Sequence, residues 1–142
     1  MLAGTLALAV AAIFAGAAYY VSAVEQPARL SLDERAALAE WRPAYKSGTA
    51  MQAPLAAIGF LLGALAWWQT RNPAFGVGAL AMIANWPWTF LVIMPVNRKL
   101  MADDAARTDP QTRVLLEKWG HLHAVRTGLG LLAAVAFLWA LA

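Results

Sequence analysis

The chain has 142 residues, 61% of them hydrophobic and only 13% charged, with mean hydropathy +0.56. A soluble domain carries about 25% charged residues; here the deficit falls in four apolar blocks, so the chain reads as one small integral membrane domain. No cysteine is present, which excludes disulfides, thiolate catalysis, iron–sulfur clusters and Cys-ligated zinc. The net charge of +3 sits in two connecting stretches and is read as membrane topology rather than nucleic-acid binding.

The expected fold is all-α: an integral membrane four-helix bundle over residues 1–142, with spans at about 2–24, 50–70, 73–96 and 120–141. The first block lacks a basic leader and is too long for a signal-peptide core, so it reads as a retained helix. Tyr19, Ser22 and Gln26 share one helical face with Glu25 beside them, and Pro27 is expected to end the helix. An amphipathic loop helix is expected at about 31–42. Ser31-x-x-Glu34 would form its capping box, Leu32, Ala36 and Ala39 its apolar side, and Trp41 a headgroup anchor. Pro43 is expected to break it.

The second span carries Gln52 in its first turns, a Gly59-x-x-x-Gly63 pair, and Trp67-Trp68 at the far interface. Asn72 and Asp109 read as N-caps ahead of Pro73 and Pro110, the fourth helix starting from Thr108-Asp109-Pro110. Asn85 falls about 18 Å along the third span, next to Trp86-Pro87-Trp88. It would bond a neighbouring helix or a carbonyl freed by Pro87, or floor a ligand pocket with Trp88. In the fourth helix Trp119, His123, Arg126 and Gly130 share one face, whereas His121 points elsewhere. His123 and Arg126 lie inside an apolar span, where ionisable groups raise a functional site by default.

Lys and Arg concentrate in loop one (Arg29, Arg35, Arg42, Lys46) and loop three (Arg98, Lys99, Arg107, Arg113, Lys118), against Arg71 alone in loop two. The positive-inside rule then puts both termini on the non-cytoplasmic side, in what is expected to be a bacterial inner membrane. All four helices bring polar groups to one leaflet, a corner suited to a flat lipophilic ligand with one polar end.

Four segments carry a family likeness: Val24-Glu25-Gln26-Pro27-Ala28, Trp41-x-x-x-Tyr45-x-x-Gly48, Pro95-Val96-Asn97-Arg98-x-Leu100, and Trp119-x-x-x-His123-x-x-Arg126-Thr127. Together they resemble the anthrone-oxygenase-like membrane proteins, over nearly the whole chain. The resemblance implies a four-helix membrane fold and, in characterised members, oxidation of an anthrone to an anthraquinone by dioxygen. It carries over Asn97, Trp119, His123 and Arg126, with Glu25 and Tyr45 behind them. His123 would be the general base, oriented by Glu25; Arg126 and Asn97 would hold developing negative charge, and Trp119 would stack on substrate.

The expected partners are thus the lipid bilayer, a lipophilic small-molecule substrate contacted by Trp119, Tyr45, Gln52, Asn85 and Trp88, and a homo-oligomer. No cofactor is expected. The alternatives are haem or a metal ion held by His123 or His121, and a small transporter or structural subunit using Glu25.

Overall fold

Leucine- and alanine-rich runs with few polar interruptions form long helices, because such side chains lose little rotamer freedom there. The computed structural model describes residues 1–104 and 109–142; the expectations on Arg107 and Thr108 lie outside them. Four helices are each long and apolar enough to cross a membrane: α1 (Leu2–Leu30), α2 (Glu34–Thr70), α3 (Pro73–Ala102) and α4 (Pro110–Leu141). Each packs along its neighbours in the sequence and α4 closes on α1, which gives an all-α four-helix membrane bundle.

Two helix starts follow the expected chemistry. Asn72 Oδ1 accepts from the Ala74 N–H at 3.0 Å and Asp109 Oδ1 from the Gln111 N–H at 2.9 Å. The capping box at Ser31 does not form. The cap of α2 is Asp33, whose Oδ1 accepts from the Ala36 N–H at 2.8 Å, while Ser31 Oγ donates back to the Ala28 carbonyl at the end of α1.

The prolines behave differently from expectation. There is no separate loop helix over 31–42, because α2 runs unbroken through Pro43 and Pro54. Pro43 frees the carbonyl of Ala39, an exposed position where water can satisfy it. Trp41 is no headgroup anchor; it is fully buried, and the inward face is Ala37, Leu38 and Trp41 rather than Leu32, Ala36 and Ala39.

Nor does Pro27 end α1. A π-helical turn, Val21–Glu25, carries the helix past it to Leu30, and a second, Thr89–Ile93, precedes Pro95 in α3. In each case the residue before proline donates its N–H five residues back, Gln26 to Val21 and Met94 to Thr89. The wider turn gives room to a ring that would otherwise crowd the carbonyl four residues earlier. It also rotates the following residues, so Gln26 is buried while Tyr19 is exposed, and the two do not share a face.

Two apolar cores fill the bundle. One sets Phe14, Phe75, Met82 and Phe137 among alanines; the other joins Leu38, Trp41, Ile93, Leu100, Leu116 and Trp119. Small residues make the first possible. A Cβ on Gly63 or Gly78 would stand 2.6 or 2.4 Å from the Phe137 ring, and one on Gly59 2.6 Å from Met82. Two arginines cap helix ends. Arg42 donates to the carbonyls of Leu100 and Asp103, and Arg113 to those of Leu30 and Leu32 at 2.8 and 2.7 Å while pairing with Glu34.

Candidate functional site

Between the two cores lies a cavity of about 30 Å³, walled by all four helices. Helix α1 contributes Val21 and Glu25, both from its π turn; α3 contributes Thr89 and Ile93 from its own, then Asn97 one turn on. Tyr45, Gly48 and Gln52 come from α2, and Trp119, His123 and Arg126 from one face of α4. Single π turns often mark functional sites, since the extra residue redirects side chains. Here both flank the same space.

The wall is polar but underpaired. Asn97 is 1% exposed, His123 4% and Arg126 8%. Asn97 Nδ2 and Oδ1, Trp119 Nε1, His123 Nδ1 and Arg126 Nε are buried without a hydrogen-bond partner in the protein. The other such atoms, on Trp41, Arg42 and Asn85, lie outside this wall. Buried polar groups are normally satisfied, so a cluster of unsatisfied ones calls for a chemical reason. Arg126 reaches Gln52 Oε1 with Nη2 at 3.1 Å and sits over the Phe14 ring, 5.7 Å from its centroid. No carboxylate pairs with it among the described residues. A guanidinium inside a bundle is unfavourable unless something of opposite charge or a wet space meets it.

Aromatic contacts hold the geometry. Trp119 stacks on His123 with centroids 4.9 Å apart, and Trp41 meets Trp119 edge-on at 5.9 Å while stacking on Tyr45 at 4.9 Å. Tyr45 turns its hydroxyl to Met94 Sδ at 4.0 Å. Gly120 admits the Gln26 side chain, whose Nε2 would stand 2.6 Å from an added Cβ and donates to the Leu116 carbonyl at 2.8 Å.

Seven expected site residues therefore meet at one cavity: Glu25, Tyr45, Gln52, Asn97, Trp119, His123 and Arg126. Asn85 and Trp88 do not. Asn85 donates to the Ala81 and Met82 carbonyls of its own helix, at 3.2 and 3.1 Å, rather than to another helix or to Ile83. Trp88 is committed to α4 through a 2.9 Å bond from Nε1 to the Leu122 carbonyl. Glu25 does not orient His123; its carboxylate accepts from Arg29, which also donates to Glu40 and Gln26.

Arg29 is the residue that sequence reasoning missed. In the sequence it reads as a loop charge, yet it is 2% exposed, joins α1 to α2, and lies 5.3 Å from the Trp119 ring centroid. Its spacing from Glu25, four residues on one helix, was the available signal. His121 is exposed, away from the cavity. Among the described residues no three His, Cys, Asp or Glu side chains form a group that would hold a metal ion.

No curated protein and no solved structure matches the chain. A family model described as Anthrone oxygenase matches residues 41–136, about two thirds of the chain, including every cavity residue named above from α2, α3 and α4. The chain belongs to the anthrone oxygenase family.

Proposed function

We propose that this protein is a membrane oxygenase of a lipophilic aromatic substrate, of the anthrone, phenol or quinol class, working without a cofactor. The observation that carries the reading is the cluster of underpaired polar atoms on Asn97, Trp119, His123 and Arg126 around one cavity. Membership of the anthrone oxygenase family supports that reaction class.

An anthrone is acidic at the methylene carbon opposite its carbonyl. His123 takes one proton from that carbon, and the electron pair moves toward the carbonyl oxygen as an enolate. Arg126 and Asn97, on the same cavity wall as His123, are the donors for the charge that develops on dioxygen at that carbon. The carbanion then reduces dioxygen itself. A carbon–oxygen bond forms, the peroxide oxygen takes back the proton held by His123 to give a hydroperoxide, and this loses water as the second C–H breaks and the O–O bond cleaves. One oxygen atom ends in the new carbonyl and one in water, so substrate supplies all four electrons and no external reductant is required. Trp119, stacked on the imidazole, holds His123 in place rather than taking the substrate ring that the family resemblance implied for it. We further propose that the protein resides in a bacterial inner membrane.

The test is anthrone oxidation by detergent-purified protein, following dioxygen uptake and anthraquinone together. Equal molar consumption and formation, above the rate in empty micelles, is expected. His123→Ala should fall to the micelle rate while remaining monodisperse and helical. A wild-type rate no faster than micelles, or an undiminished His123→Ala, refutes the reading.

A further inference from the structure

The polar cavity, at about 30 Å³, has room for roughly one or two water-sized molecules and none for a fused-ring substrate. It does not end there. A groove of about 330 Å³ opens sideways between α1 and α2 and shares Val21, Glu25, Ala44, Gly48 and Gln52 with the cavity wall. Its outer lips, Tyr20 and Met51, are 55% and 49% exposed, so it faces outward from the bundle. That volume is at the lower end of ordinary small-molecule sites.

Gly48 stands at the junction of the two spaces. It lies inside the continuous helix α2, where glycine is unfavourable relative to alanine, yet a Cβ there would meet no atom within 4 Å. Close helix packing explains Gly63 and Gly78, but not Gly48. A side chain at 48 would stand on the wall that groove and cavity share.

We infer that this groove is the binding site for the apolar rings of the substrate, reached from the bilayer side, with Gly48 left bare so that the edge carrying the reacting carbon reaches Asn97, His123 and Arg126. The inference rests on the oxygenase reading and adds where the ligand lies and which residue sets its clearance. The ligand is flat because the groove runs between two helices, and apolar along most of its length because Ala17, Val21, Ala44 and Met51 line it.

The probe is anthraquinone, a flat relative that the enzyme cannot oxidise further, with binding read by quenching of tryptophan fluorescence in detergent. Gly48→Leu should weaken binding by at least about tenfold, as expected for filling a shaped apolar site. Gly16→Leu is the control. Gly16 also has open space around it but lies on an exposed part of α1 outside the groove, so binding should be unchanged. Because the chain has no cysteine, Ser47→Cys supplies a single thiol in the groove with little effect on folding. Anthraquinone should slow its alkylation by a lipid-soluble maleimide.

Wild-type protein that does not bind anthraquinone, or binding equal in wild type and Gly48→Leu, overturns the groove. So does Ser47→Cys alkylation indifferent to anthraquinone, the result expected if an acyl chain fills the space instead. Should Gly48→Leu fail to fold, the labelling result decides alone. Turnover that survives Gly48→Leu leaves the reaction standing and removes the groove. Groove-dependent binding without turnover does the reverse.

Discussion

Arg126 is the least comfortable residue in the bundle, and its discomfort is informative. A buried guanidinium with one amide partner and, among the described residues, no paired carboxylate keeps donors free for an anionic oxygen. Lysine would keep the charge but could not hold Gln52 and a second oxygen in a fixed fork. Arg126→Lys should therefore lower anthrone turnover by about a hundredfold, the scale of losing one preorganised donor, with far less effect on anthraquinone binding. Steady-state dioxygen uptake checks it; an unchanged rate removes Arg126 from the chemistry. His123 and Arg126 were legible in the sequence because an imidazole and a guanidinium inside an apolar span are conspicuous. Arg29 was not, since its place among four polar loop cations hid a burial that only the fold of α1 against α2 creates. Asn85 errs the other way. A mid-membrane amide suggests a pocket, but its own helix supplies two carbonyls to the side-chain nitrogen.

Helices α1 and α3 are built on one plan: a π turn, one residue, then proline, with the π-turn residues Glu25 and Ile93 turned to the same cavity. The sequence displayed the prolines but not their effect, because a proline at a helix position reads equally as a stop, a kink or a widened turn. Packing chose the third. Likewise α2 survives Pro43 because it is fastened on both sides of it, by Trp41 in the second core and by the cavity residues beyond. Glycine pairs were easier to read, since G-x-x-x-G has one common use in membrane helices. The Phe137 ring that packs on Gly63 also packs on Gly78 of α3, tightly enough to predict. Gly78→Ala drives a methyl into the buried Phe137 ring and should cost about 1–3 kcal/mol. Thermal unfolding in detergent measures it, with Gly16→Ala, which meets nothing, expected to be neutral or stabilising. Equal melting of the two variants would mean that Phe137 yields freely.

For the whole molecule, the remaining question is which way the polar corner faces. Arg29, Arg35, Arg42 and Lys46 cluster where α1 gives way to α2, and Arg98, Lys99, Arg113 and Lys118 where α3 gives way to α4. Arg71 is the lone basic residue at the other end. Two of the cluster, Arg42 and Arg113, cap helix carbonyls, so folding and topology draw on the same charges at that end. Each of these cations would have to cross the bilayer in the inverted orientation. The expected arrangement therefore has the cavity in the cytoplasmic leaflet and both termini outside. A cysteine-free chain makes this directly measurable. In intact bacterial cells a charged, impermeant maleimide should label Ala142→Cys at once and the exposed Ser31→Cys only after permeabilisation. The opposite pattern would invert the bundle, and labelling of both in intact cells would mean that the chain inserts either way. The expected result has a chemical corollary. The proton that His123 takes returns to the peroxide oxygen and ends in water, so turnover releases no net proton; that water would leave on the cytoplasmic side, while substrate arrives from within the bilayer through the groove between α1 and α2.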